Sequence, residues 1–193
     1  MARKQMYECG TKEKIMEVAT EVFFRKGYDK TNLRDISDGV HCEVGLCYYY
    51  YNSKEDLFAR VMENFFRPYE EGFERYAQKV KEHPEKAIFM FFEYLRRVTK
   101  YFRDKYHSIN PTIRVLIREK TLSVIEPYII SIIEDMKANG AKPVMSTSPM
   151  AVFLTHGAGS IILHESEEWV DSSLSEVKNT IAMIMGIDLP EEK

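Results

Sequence analysis

The residues with the most chemistry to offer are crowded into one stretch, Thr31 to Lys54, TNLRDISDGVHCEVGLCYYYYNSK. It carries four consecutive tyrosines (Tyr48 to Tyr51), His41, two of the chain's three cysteines, Cys42 and Cys47, and the carboxylate of Glu43. Tyrosine rings can stack on bases, but stacking needs unpaired bases, and at helical spacing at most two of the four rings face one way. Cys9, Cys42 and Cys47 form an odd set without the paired spacing of a zinc site, which argues against a structural metal and a disulfide framework. They read as small buried hydrophobes or, in the alternative, as a thiol sensor. No nucleophile–base signature, phosphate-cradling glycine loop or metal motif stands elsewhere in the chain. No catalytic residue, metal or cofactor is therefore expected, and the chain does not read as an enzyme.

The elements that must position this stretch are short helices. Leu33, Ile36 and Val40 recur at spacings of three and four, a Gly39-Val40-His41 corner follows, and a second helix runs from about Glu43 to Tyr50. Two helices joined by a tight corner make a helix-turn-helix, whose second helix can lie in a DNA major groove. Upstream, Thr11 is expected to cap a helix with Ile15, Val18, Ala19, Val22 and Phe23 on one face, stopped by Gly27 after Arg25 and Lys26. Thr31 is expected to cap the next helix and Ser53 the fourth, whose first turn holds Glu55 and Asp56.

From Thr11 to about Leu57 the chain resembles the DNA-binding domain of TetR-type transcriptional regulators. The matching residues are Phe23 (or Phe24) with Gly27-Tyr28, Thr31, Asp35-Ile36, Gly45, Tyr48, Tyr50, Tyr51 and Ser53-Lys54-Glu55-Asp56-Leu57, without a gap. The departures are local. His41 occupies the corner position where the family has a left-handed glycine, a conformation in which histidine is enriched. Glu43, Val44 and Leu46 replace the usual small or basic residues, and no Lys or Arg occurs from Gly39 to Ser53. Cys42 and Cys47 stand where the family places core Val and Leu.

The resemblance implies an all-α protein: an N-terminal three-helix DNA-binding head (1–53) and a C-terminal helical body (54–193) for effector binding and dimerisation. It places Thr31, Tyr48, Tyr50 and Lys54 on phosphates, a role suited to hydroxyls and an ammonium at helix ends. It places Val44, Gly45, Leu46 and Tyr49 at base edges, where Val and Leu can contact a thymine methyl. Glu43 either caps its helix or accepts from a cytosine amino group. The implied partners are double-stranded DNA, a second copy of the chain and a small-molecule effector. The implied function is that of a repressor released from a palindromic operator. The rival reading is a helical dimer that binds a small molecule or protein and has lost DNA specificity.

Composition agrees with a compact helical protein. The 193 residues are 45% hydrophobic and 30% charged, with nine glycines and seven prolines. No apolar run approaches the ~18 residues that cross a bilayer and no signal sequence opens the chain, so no membrane partner and a cytoplasmic location are expected. Net charge is −3, and Lys/Arg and Asp/Glu nearly balance over residues 1–56. Phosphate contact would thus depend on local cations: Arg3, Lys4 and Lys12 at the amino end, in a segment that either frays or forms a basic arm, and Lys30, Arg34 and Lys54 beside the motif.

In the body, Pro68 is expected to kink or split the fourth helix, and His83-Pro84 marks a break. A strongly aromatic helix spans 85–106. Asn110-Pro111 ends it, short and longer helices follow at about 112–119 and 122–139, and the last two run at about 149–167 and 172–185. Phe89, Phe92, Tyr94, Tyr101 and Met136 are the candidates for an apolar ligand pocket, with ordinary core packing as the alternative. His107, His156 and His164 are the polar candidates nearby. The small-residue run 155–160 suits a close helix crossing, so Gly157, Gly159, Ile161 and Ile181 are the candidates for a dimer interface.

Overall fold

The computed structural model describes residues 10–106 and 108–189, and every regular element among them is helical. Arg3, Lys4, Cys9 and His107 lie outside the described residues. Two compact units form. The first comprises residues 10–68 and 108–116, the second residues 69–106 and 117–189. This differs from a division after residue 53, because the fourth helix runs without interruption through the boundary and a later segment returns to the first unit.

In the first unit, α1 (Thr11–Lys26) buries Ile15, Ala19, Val22, Phe23 and Phe24. Gly10 is its N-cap and Thr11 its first helical residue, a shift of one from the expected cap. At its end Gly27 adopts φ 85° and its N–H donates to the Phe23 carbonyl at 2.8 Å. Asn110 closes over this end: its backbone N–H donates to Phe24 O at 2.7 Å and its Nδ2 to Lys26 O at 3.2 Å. A Cβ on Gly27 would stand 2.9 Å from that Nδ2, so a side chain there would displace the asparagine. Helix α2 (Leu33–Val40) is capped by Asn32, not Thr31. Asn32 Oδ1 accepts from Asp35 N at 2.9 Å and Asp35 Oδ2 accepts from Asn32 N at 3.1 Å, a reciprocal box that satisfies two orphan amides. Helix α3 (Val44–Tyr50) is the second arm of the corner, and α4 (Lys54–Val80) begins with Ser53 Oγ accepting from Asp56 N at 3.1 Å.

Pro68 lies inside α4 without splitting it. Each half of the helix has its own buried stripe, Leu57, Val61 and Phe65 before the proline and Phe73, Ala77 and Val80 after it. Likewise α6 (Pro111–Ala138) is one 28-residue helix where two were expected. No glycine interrupts it, Pro111 sits where a missing N–H costs nothing, and Thr121 Oγ1 donates back to Ile117 O at 2.8 Å.

The second unit packs the later parts of α4 and α6 with α5 (Ala87–Lys105), α7 (Thr147–Phe153), a π-helical segment (Leu154–Gly159), α8 (Ser160–Ile162) and α9 (Glu167–Met185). Its core includes Phe73, Phe91, Leu95, Leu122, Ile125, Ile129, Met150, Leu154, Ile162 and Met185. Helix α9 begins five residues earlier than the 172–185 periodicity suggests, because Ser166 Oγ accepts from Trp169 N at 3.2 Å and caps it. Cations from α5 hold the α8–α9 region: Arg96 Nη1 meets Asp171 at 3.2 Å, Lys100 pairs with Glu167, and Arg103 Nη1 donates to His164 O at 2.8 Å.

The body candidates divide by burial. Phe89, Phe92 and Met136 are core residues and Tyr94 is half-buried. Tyr101 does not belong with them: it is 58% exposed on the charged carboxyl half of α5, its ring 5.9 Å from Lys105 Nζ. Gly157 and Ile161 are half-exposed, whereas Gly159 and Ile181 are turned into their own unit. A Cβ on Gly159 would meet Leu122 Cδ2 at 3.2 Å, so this glycine serves a close crossing within the chain, whereas nothing stands within 4 Å of a Cβ on Gly157. His156 lies 3.7 Å from Glu126, and the His164 ring packs 4.5 Å from Trp169 while its Nδ1 accepts from Ser166 N.

Candidate nucleic-acid interface

The corner that joins α2 to α3 is built around a backbone conformation rather than a side-chain contact. His41 takes φ 59° and ψ 45°, the only non-glycine with positive φ among the described residues, as its place in the motif implies. Its N–H donates to Asp38 O at 3.2 Å and Cys42 N donates to Ser37 O at 3.0 Å, so the α2 carbonyls are satisfied as the chain reverses. Cys42 and Cys47 occupy the positions just before the N-cap and in the first turn of α3, the pair that staples a helix start. Cys47 is fully buried, and burial pushes its thiol up to about 11. That favours the reading of core hydrophobes.

What α3 turns outward is apolar and hydroxylated. Tyr49 is 70% and Tyr48 58% exposed; Tyr50 is half-buried, its ring 5.1 Å from that of Tyr49. Val44 and Leu46 are half-buried, and Gly45 is exposed with nothing within 4 Å of where a Cβ would stand. Glu43 is the N-cap residue, but only its backbone carbonyl serves, accepting from Leu46 N at 2.9 Å; its side chain makes no capping bond.

Thr31 and Lys54 are brought together, but facing inward. The Thr31 hydroxyl, 2% exposed, donates to Gly27 O at 2.7 Å. The expectation of a phosphate contact by that hydroxyl is corrected here: it ties the α1–α2 corner. Lys54 Nζ donates to Tyr28 O and Thr31 O, each at 3.1 Å, and lies 4.1 Å from the centre of the Tyr28 ring. Two of its three N–H groups are thus committed.

Further contacts fasten the head, and the motif alone did not point to them. Lys26 Nζ pairs with Asp35 at 2.8 Å, and this bond holds the Asp35 carboxyl below its ordinary range. Tyr28 Oη donates to Glu55 Oε1 at 2.6 Å. That hydrogen bond raises the Tyr28 phenol to about 12 and lowers the Glu55 carboxyl to about 2. The Asn32-x-x-Asp35 spacing was a legible capping signal, whereas the Tyr28–Glu55 pair, 27 residues apart, had none.

Residues 15–61 match the model of the family described as bacterial regulatory proteins, tetR family. The Staphylococcus epidermidis biofilm operon icaADBC HTH-type negative transcriptional regulator IcaR is 42% identical over 55 residues, covering 28% of this chain and 30% of that protein. The Staphylococcus aureus HTH-type transcriptional regulator QacR is 30% identical over 98 residues, 51% of each chain. The matches thus span about 30% and about half of the length of these two relatives. The fold extends further: the crystal structure of E. coli NemR in its reduced form superposes with a TM-score of 0.63 at 16% identity, covering 94% of this chain and 100% of that one. Among the described residues no helix is long and apolar enough to cross a membrane. The match to the tetR family model thus covers the motif and its left-handed corner, about the first quarter of the chain, and beyond it the likeness is one of fold.

Proposed function

We propose that the chain is a sequence-specific, double-stranded-DNA-binding transcriptional repressor, not an enzyme, that works in the cytoplasm as a homodimer and is released from a palindromic operator by a small-molecule effector. The observation that carries the reading is the α2–α3 corner, with His41 in the left-handed region and the Tyr48–Tyr49 face of α3 uncovered. The relatives named above, both transcriptional regulators, support it. In this reading α3 enters the major groove, with Val44, Gly45, Leu46 and Tyr49 at base edges. Tyr48, Tyr50 and the third N–H of Lys54 hold phosphates. Residues 1–53 act as the head, and the later helices take the effector and the partner copy.

The effector is assigned to the apolar interior around Phe89, Phe92, Tyr94 and Met136. The partner copy is assigned to the outward faces of α7 and α9, where Val152 is 47%, Phe153 48% and Met183 70% exposed, with Gly157 and Ile161 at the margin. An effector acts by its differential affinity for two dimer geometries, only one of which matches the half-site spacing.

The absence of Lys and Arg between Gly39 and Ser53 favours a second reading, a helical dimer that binds a small molecule or protein with degraded DNA specificity. Selection of random duplex DNA on the purified protein at moderate salt, with sequencing of what is retained, separates the two. Enrichment of one inverted repeat is expected. Retention without a motif at moderate and at low salt refutes the operator-binding reading and favours the second.

A further inference from the structure

Resting on the operator-binding reading, we propose that the half-site is recognised through thymine methyl groups and a cytosine amino group, with no guanine read by a cation. Val44, Leu46 and the ring of Tyr49 supply the apolar contacts, and Glu43 the acceptor.

The argument begins with what α3 lacks. Guanine is read in the major groove by a bidentate cation on O6 and N7, and no Lys or Arg lies between Gly39 and Ser53. The amide of Asn52, just beyond the helix, already donates to Asp56 Oδ2 at 3.3 Å, and its backbone N–H does so at 3.0 Å. What the face offers instead is uncovered carbon. Tyr49 is 70% exposed, Val44 and Leu46 are half-exposed, and the bare Gly45 leaves room for a base edge to approach the backbone between them. The C5 methyl of thymine is the apolar group that the major groove presents.

Glu43 adds a second element. A carboxylate beside DNA is repelled by phosphates, so at the start of a groove-reading helix it needs a compensating donor. It does not find one on its own helix, since its side chain makes no capping bond. The cytosine N4 amine is the matching donor in the major groove, and carboxylates accept from it. A face that reads by methyl contact and one accepted hydrogen bond also neutralises few phosphates, so its affinity falls only shallowly with salt.

The test uses the full chain and the inverted repeat recovered by duplex selection. Replacing the half-site thymines one at a time by deoxyuridine removes a methyl and leaves base pairing unchanged. Each contacted methyl lost is expected to raise Kd about fourfold, the equivalent of ~0.8 kcal/mol for one buried methyl group. Val44→Thr, nearly isosteric, should weaken binding to the thymine operator and reduce the penalty for deoxyuridine at one position. Glu43→Gln should shift the preference at one position from cytosine towards adenine, which glutamine reads bidentately. Both substitutions are at solvent-accessible positions, and circular dichroism checks that the helices persist. A recovered repeat that binds within twofold when its thymines are replaced, or a cytosine preference unmoved by Glu43→Gln, overturns the proposal and leaves the operator-binding reading standing. Recovery of no repeat at all overturns both.

Discussion

A methyl group added at Gly72 should destabilise the protein or stabilise it depending on one oxygen atom twenty-two residues away. Gly72 lies inside α4, and a Cβ there would stand 2.5 Å from Tyr94 Oη, well inside the ~3.5 Å optimum for unbonded heavy atoms. The Tyr94 ring has little freedom to retreat: it stacks on Tyr76 at 4.3 Å and 8° and meets Phe73 edge-on at 5.6 Å. Overpacking of this kind costs about 1–3 kcal/mol, from which about 1 kcal/mol is recovered because alanine is the better helix former. Gly72→Ala alone should therefore cost about 1 kcal/mol net. In a Tyr94→Phe background the nearest remaining atom is Cζ at 3.7 Å, an ordinary contact. There the same change should stabilise by about 1 kcal/mol, since only the propensity gain survives. Urea unfolding of the four proteins, followed by far-UV circular dichroism, closes the cycle. If Gly72→Ala has the same effect in both backgrounds within about 0.5 kcal/mol, the notch is not what the glycine is for, and the packing argument fails.

Four further outcomes follow from the head. Asn32→Ala removes one half of the capping box and should cost about 1 kcal/mol in urea midpoint analysis, with early hydrogen exchange confined to the first turn of α2. His41→Gly should stabilise by about 0.5 kcal/mol, the relief of a left-handed residue less the entropy of glycine; a loss of stability would show that the imidazole does something the backbone does not. Glu55, depressed from 4.5 to about 2 by the Tyr28 hydroxyl, contributes stability that is present above pH 4.5 and lost as pH falls through about 2. The difference in Tm between the wild type and Tyr28→Phe should accordingly be level near neutral pH and shrink between pH 4.5 and 2; a difference unchanged across that interval would contradict the assignment. Finally, with its thiol pushed up to about 11 by burial, Cys47 should alkylate with iodoacetamide at pH 8 only as fast as the head unfolds, as peptide mass spectrometry can read.

Much of the head was legible because its determinants are local. A glycine after two cations, an Asn-x-x-Asp box, a corner residue with positive φ and a serine before two acids each act within about one helical turn, and each can be read at fixed spacing. The cap of α2 was still misplaced by one residue, since Thr31 and Asn32 are both good caps and only the fold commits the Thr31 hydroxyl to Gly27 O. A helix break was over-read near residue 120, where neither proline nor glycine interrupts the chain. Of the kink or split expected at Pro68 the split does not occur, because burial on each side outweighs the one hydrogen bond lost at the proline.

The sequence by itself determined the resemblance of the head to the tetR family, the helical class and the apolar, cation-free character of α3. These depend on residue type and short-range order. Tertiary structure alone decided which way side chains face. It turned Thr31 and Lys54 inward at the α1–α2 corner, left Tyr101 outside, and drew Gly159 and Ile181 into their own unit while leaving Val152, Phe153 and Met183 uncovered. A helical pattern names the residues that share a face, but a helix with apolar residues on more than one side leaves open which face the rest of the chain will cover. That choice is made by packing between segments distant in sequence, such as Gly159 against Leu122 and Tyr94 against Gly72, where a missing side chain permits the approach.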